Sequence, residues 1–239
     1  SRVRALPNVV MLQASVDDLD LDSAHGRVSG LRVRATDGRS LTLPVDLTVD
    51  ASGRGSHAPQ WLDTIGCGKP SESTTKANLV YASRLYRPGP EPRDWKALVA
   101  SARPPAKRLG LIFTVEGNRW LVSLGGRHGD YPPRDDAGYL EFARSLPVPD
   151  LHRALVEAEP LSPIAIHNFP SNIRRHFDRL ASLPKRFLVI GDALCSFNPI
   201  YGQGMTVSAR EAVALDEILR ESQALDGLSE PFYRKAAPI

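Results

Sequence analysis

The stretch from Phe187 to Met205 constrains the fold of this 239-residue chain more than any other segment. Phe187-Leu-Val-Ile is an apolar run of strand length that ends in Gly191-Asp192, and Pro199, Gly202 and Gly204 punctuate a turn before a helix. In that helix Ser208, Ala212, Leu215 and Leu219 share a face, with Ala209 and Ile218 beside it. Strand, turn and helix in this order bring backbone amides and one carboxylate to the carboxyl end of a strand, where open α/β sheets bind ligands. Asp192 can accept a hydrogen bond from a ligand hydroxyl. The amides of Gly202, Gln203, Gly204 and Met205 open a helix whose positive end favours an anionic group. An ordinary crossover shares the order of elements, but the full pattern has few accidental matches.

A second strand-end turn lies roughly 140 residues earlier, in Val45–Ser56. Val45–Asp50 reads as an apolar strand that stops at Ala51-Ser52-Gly53-Arg54-Gly55. Asp50 stands where a carboxylate can accept hydroxyl or amide hydrogen bonds, and Gly53 and Gly55 allow positive φ or close approach to a ligand. Taken alone, an Asp-x-x-Gly turn of this kind is as readily a loop with no ligand. Gly53 to Ala58 also fits Gly-x-Gly-x-x-Ala, with Glu72 near the distance of a ribose-binding acid. The surroundings argue against a dinucleotide fingerprint, because Pro59 occupies the start of a short helix and no apolar strand ends near Glu72.

The remaining pattern is mixed α/β. We expect strands at Asn8–Ser15 and Val28–Ala35, a hairpin turn at Asp37-Gly38 leading into Ser40–Leu43, and a short helix at Pro59–Ile65. Asn78–Tyr86 and Leu109–Leu124, the latter turning at Gly117-Asn118, read as half-exposed antiparallel strands. Arg87–Pro92, Arg103–Pro105 and Tyr131–Arg134 read as proline-rich loops, Ala137–Ser145 and Leu151–Ala158 as helices, and Ile164–Phe169 as a strand. The expected domains are 1–66 with 168–239, and an inserted β-rich 67–167.

Composition excludes several classes. A net charge of +3 with scattered arginines gives no footprint for nucleic acid. No apolar run reaches membrane-spanning length, so no stable membrane insertion is expected. Cys67 and Cys195 fit neither a disulfide framework nor a metal site, which points to a reduced, cytoplasmic protein. His25, His57, His128, His152, His167 and His176 lack zinc spacing and read as surface or hydrogen-bonded residues; no metal site is expected. Arg174-Arg175-His176 reads as a solvated face. No Gly-x-Ser-x-Gly occurs. The opening Ser1-Arg-Val-Arg lacks an initiator methionine, which suggests a trimmed or incomplete chain.

Together the two motifs resemble the FAD-dependent aromatic hydroxylases, the group of para-hydroxybenzoate hydroxylase, whose fold is shared with geranylgeranyl reductases and flavin halogenases. The resemblance implies that Asp50 and Gly53 lie near the FAD pyrophosphate and that Gly191-Asp192 meets the ribityl chain. It places Pro199, Gly202, Gln203, Gly204 and Met205 against the isoalloxazine. It implies a Rossmann-like FAD-binding portion carrying an inserted antiparallel sheet that receives a small-molecule substrate. The implied activity is hydroxylation of a small aromatic or polycyclic substrate with dioxygen, NAD(P)H acting as a transient reductant. No universal catalytic side chain carries over.

The family's opening Gly-x-Gly-x-x-Gly unit has no counterpart in these residues. A fragment of a longer protein, a unit supplied by another chain, or a degenerate remnant each accounts for that, and the fragment is the reading we favour. Its FAD site would then be incomplete, its partner the missing amino-terminal segment, and the isolated chain inactive. A reductase of the geranylgeranyl type and a non-catalytic remnant are the alternatives. The halogenase reading is weaker, since no Trp-x-Trp-x-Ile-Pro segment is present and Trp61, Trp95 and Trp120 stand apart.

Overall fold

The computed structural model describes every residue except Ser1, His25, Pro92, Arg103, Pro104 and Ile239, so the expectations for His25, for the first residue and for part of the 103–105 loop lie outside the described residues. The chain runs β1 (Ala14–Asp22), β2 (Arg27–Ala35), β3 (Ser40–Pro44), β4 (Thr48–Asp50), α1 (Ala58–Thr64), β5 (Ser71–Arg87) and β6 (Ala97–Ala100). It continues through β7 (Arg108–Val115), β8 (Arg119–Arg127), α2 (Asp136–Arg144), α3 (Pro149–Val156), β9 (Glu159–Pro160) and β10 (Ala165–His176). It closes with β11 (Phe187–Val189), β12 (Cys195–Ser196), α4 (Gln203–Glu221) and α5 (Ser229–Ala236). No described helix is long and apolar enough to cross a membrane.

Two compact units result, one of Ser1–Thr74 with Ile173–Ile239 and one of Thr75–Asn172. The expected divisions at 67 and 167 fall a few residues earlier, because β5 and β10 each run past the boundary as continuous strands.

In the first unit β1, β2 and β3 form an antiparallel sheet. The Asp37-Gly38 turn sets its β2–β3 register, with Gly38 at φ +86° and the Asp37 carboxylate accepting from the Arg39 amide at 3.0 Å. β1 begins at Ala14 and not at Asn8, because pairing with β2 ends at Ala35, where the chain turns. Val10, Met11 and Leu12 consequently stay exposed. The acidic run Asp17, Asp18, Asp20, Asp22 hides a strand, since aspartate disfavours one. Cross-strand arginines offset that cost: Arg34 meets Asp17 at 2.8 Å, Arg27 meets Asp22 at 3.0 Å, and Arg32 pairs with Asp18. β4 is confined to Thr48–Asp50, shorter than the expected Val45–Asp50, and pairs in parallel with β11.

The core of this unit joins Leu62 of α1, Phe187, Leu188 and Val189 of β11, Ile218 of α4, and Phe232 and Tyr233 of α5. The α5 segment escapes a periodicity reading because it is short, yet Phe232 is fully buried and the Tyr233 hydroxyl accepts from the Val189 amide at 3.1 Å. On α4 the buried residues are Glu211, Ala214 and Ile218. The expected Ser208–Ala212–Leu215–Leu219 face is only partly covered, and Ala212 is exposed. The helix is turned by the bond that Glu211 makes to the strand-end turn described below.

In the second unit β5, β8, β7 and β6 follow one another antiparallel, with β10 on the other edge of β5. Glu116, Gly117 (φ +76°) and Asn118 (φ +50°) make the three-residue turn between β7 and β8, whose last pair is Val115 with Arg119. Ala82, Tyr86, Val122, Leu124 and Ile112 pack under α2 and α3 with Tyr139, Phe142, Leu151 and Leu155. Asp135 caps α2 by accepting from the Gly138 amide at 2.8 Å. By strand alternation the opposite sheet face carries Leu79, Tyr81, Ser83 and Leu85 beside Leu121 and Ser123. On it the Ser83 and Ser123 hydroxyls bond at 2.6 Å, and burial pushes the Tyr81 phenol up to about 12.

Candidate functional site

The parallel pair β4–β11 brings the two sequence motifs to one place. Val189 lies in register with Asp50, and the Ile190 amide donates to the Asp50 carbonyl at 2.9 Å. Both strands therefore end side by side, at the edge where α/β sheets leave a crevice for ligands.

The Asp50 loop is organised from within. Asp50 is 7% exposed, and its carboxylate accepts from the Ser52 amide at 2.8 Å and the Ser56 hydroxyl at 2.5 Å. Ser56 Oγ also accepts from the Ala58 amide at 3.0 Å, which starts α1. Both Asp50 oxygens thus have partners inside the loop, so this carboxylate shapes the loop. Gly53 takes φ +84°, and no atom lies within 4 Å of where a Cβ would sit on Gly53 or Gly55. That leaves open space along the loop. The Gly-x-Gly-x-x-Ala match has no ribose acid behind it, because Glu72 lies within β5 and pairs with Arg175 at 3.1 Å.

The Gly191 turn follows β11 as a 3-10 turn, with Gly191 at φ +62°. A Cβ there would meet Ser208 Oγ at 3.2 Å, so glycine answers both backbone conformation and packing. Asp192 is partly exposed, and its Oδ1 would lie 3.4 Å from a Cβ on Gly204. The carboxylate therefore sits beside the first turn of α4. Asn198 caps the turn at Pro199–Tyr201 by accepting from the Ile200 amide at 3.1 Å, and Gly202 enters α4 at φ +64°. α4 has no side-chain cap and no acidic residue in its first turn, which leaves its amino end free to meet an anion. Pro199, Gln203 and Met205 are exposed, Met205 at 80%.

Two residues that spacing did not reveal hold this arrangement. Glu211, 2% exposed, accepts from the Gly191 amide at 2.5 Å. Arg175, 8% exposed, belongs to the Arg174-Arg175-His176 stretch expected on a solvated face. That expectation fails because the segment is the end of β10, paired with β12. His176 is also buried, and its Nε2 bonds Ser73 Oγ at 2.8 Å. An arginine run preceding a strand-end motif was the available signal for Arg175. For Glu211 the signal was an acid on a helix face that also carries Ala214 and Ile218.

Burial holds the Glu211 carboxyl above the ordinary 4.5; the Gly191 amide pulls it back and neighbouring Asp192 pushes it further up. The folded state thus keeps this proton to higher pH than the unfolded chain. Its contribution is complete below 4.5 and is lost as pH rises through the raised value. Glu211→Gln retains an acceptor for Gly191, so it should gain stability relative to the parent chain as pH climbs from 4.5 towards neutrality. Urea unfolding across that range measures the difference.

Among the described residues no group of three or more His, Cys, Asp or Glu could hold a metal ion, and Cys67 and Cys195 are free thiols. Burial raises the Cys195 thiol.

No protein-family model matches the chain. The chain is similar to Protein Rv3254 of Mycobacterium tuberculosis, 31% identical over 225 residues covering 92% of this chain and 47% of the relative. It spans about half the length of that curated relative. Among solved structures it is similar to a triple mutant of the flavin-dependent brominase Bmp2 (TM-score 0.70, 18% identity, 94% of this chain and 55% of that one). It is also similar to a mutant of 2-methyl-3-hydroxypyridine-5-carboxylic acid oxygenase (TM-score 0.69, 19% identity, 98% and 59%). The flavin-dependent halogenase CmlS gives 0.65 at 20% identity, covering 94% and 40%. The chain has the mixed α/β fold of flavin-dependent oxygenases and halogenases. Halogenases, ranked behind hydroxylases on motif grounds, share that fold equally.

Proposed function

We propose that this chain forms the ribityl and isoalloxazine side of an FAD site in a monooxygenase-like oxidoreductase. The observation that carries the reading is the convergence of the Asp50 loop, the Asp192 carboxylate and the uncapped start of α4 at the ends of two adjacent parallel strands. The residues fit the group: Asp192 can accept from a ribityl hydroxyl, and the Gly202–Met205 amides offer donors to an electron-rich ring edge. Gly53, Gly55 and Gly202 leave space that any Cβ would occupy. Such fixed amides stabilise negative charge without reorganising. FAD, when bound, supplies redox chemistry, drawing on NAD(P)H and dioxygen.

The Rossmann-like portion in this reading is the first unit, and the second unit receives the substrate. Its sheet face opposite α2 and α3 presents the partly exposed Ser83, Leu85 and Leu121, with Ser123, Tyr81 and Leu79 buried beside them, a lining suited to a flat, mostly apolar molecule carrying a polar group. No residue is assigned to the adenosine end of FAD. Adding FAD to the purified chain and removing the excess by gel filtration tests the reading. Flavin absorption co-eluting with the protein supports it, and a colourless protein at saturating FAD contradicts binding by this chain.

A further inference from the structure

We infer that Arg175 is a positioning residue that sets the spacing of the two loops of the proposed cofactor site. The inference rests on the flavin reading for its consequence but not for its geometry. The guanidinium Nη1 donates to the Ala193 carbonyl at 2.8 Å, Nη2 to the Arg54 carbonyl at 2.9 Å, and Nε to Glu72 Oε1 at 3.1 Å. The Arg175 backbone amide adds a bond to the Leu194 carbonyl at 2.9 Å. Ala193 ends the Gly191–Asp192 turn and Arg54 follows Gly53 in the Asp50 loop, so one planar side chain reaches both loops. On the far side Arg54 Nη1 donates to Ser196 Oγ at 3.2 Å, closing a second link between the same segments.

A rigid fork suits this task, because its donors lie at fixed angles in one plane. Lysine carries its three donors on one nitrogen and so lacks the fixed separation with which the guanidinium reaches both carbonyls. Once the fork is gone, the buried Ala193 carbonyl and the partly buried Arg54 carbonyl share one ammonium and the loops lose their common reference. Displacing donors by a fraction of an ångström is costly where several must meet one ligand.

The test begins on the unaltered chain. Its Arg175 guanidinium protons should exchange slowly with solvent and give resolved Nη signals; fast, averaged signals overturn the clamp whatever the variants do. In ligand-free R175K, amide signals of Ser52–Gly55 and Gly191–Ala193 should shift together, while those of the β1–β2–β3 sheet stay in place. Glu72→Ala, which removes only the Nε partner, should leave both loops unmoved. R175K is expected to weaken FAD binding at least about tenfold. Undisturbed loops in R175K, or equal shifts in R175K and E72A, contradict the proposal. If the parent chain binds no flavin, the flavin reading falls, and the loop signals still decide the role of Arg175.

Discussion

Trp120→Ala is expected to destabilise the second unit by about 3–5 kcal/mol, the range for deleting a buried aromatic side chain. Trp120 is 2% exposed and lies against Trp95 with ring centroids 5.2 Å apart, in the cluster that seats α2 and α3 on β8. Since a domain's whole stability is about 5–15 kcal/mol, the loss removes a large share of what holds this unit folded. Far-ultraviolet circular dichroism during urea titration measures it. A change within about 1 kcal/mol would mean that the sheet and helices do not share this core.

Asp192→Ala should weaken flavin binding about 10- to 100-fold, the worth of one lost hydrogen bond to a charged group. Folding stability should barely change, because Asp192 is partly exposed and its neighbours Gly191 and Ala193 keep their own contacts. Asp192→Asn, which keeps an acceptor oxygen, should fall between the two. Fluorescence titration with FAD separates the three proteins, and equal affinities for all of them would remove Asp192 from the site.

What could be read from residues alone followed local physics. Gly38 and the Gly117-Asn118 pair each demand positive φ, and the turns they mark are where the strands reverse. The apolar run Phe187–Ile190 ends where Gly191 breaks it, and β11 stops one residue earlier, at Val189. β1 was obscured because Asp17, Asp18, Asp20 and Asp22 are offset by arginines on the neighbouring strand, a pairing that only the fold creates. Within the site, Asp192 and the glycines carry a spacing signature, whereas Arg175 and Glu211 act across 18 and 20 positions of sequence and carry none. Asp50 could be placed at the strand end by its position. That its oxygens are occupied by Ser52 and Ser56 depends on loop geometry.

In the proposed function the ends of β4 and β11 and the start of α4 form one flavin-binding surface. Amide chemical-shift mapping during titration of the isotope-labelled chain with riboflavin phosphate tests it most directly, since weak binding still moves signals. Saturable shifts are expected at Ser52–Gly55, Gly191–Ala193 and Gly202–Met205, with the second unit's helices silent. Saturable shifts located elsewhere, or none at millimolar ligand, would contradict it.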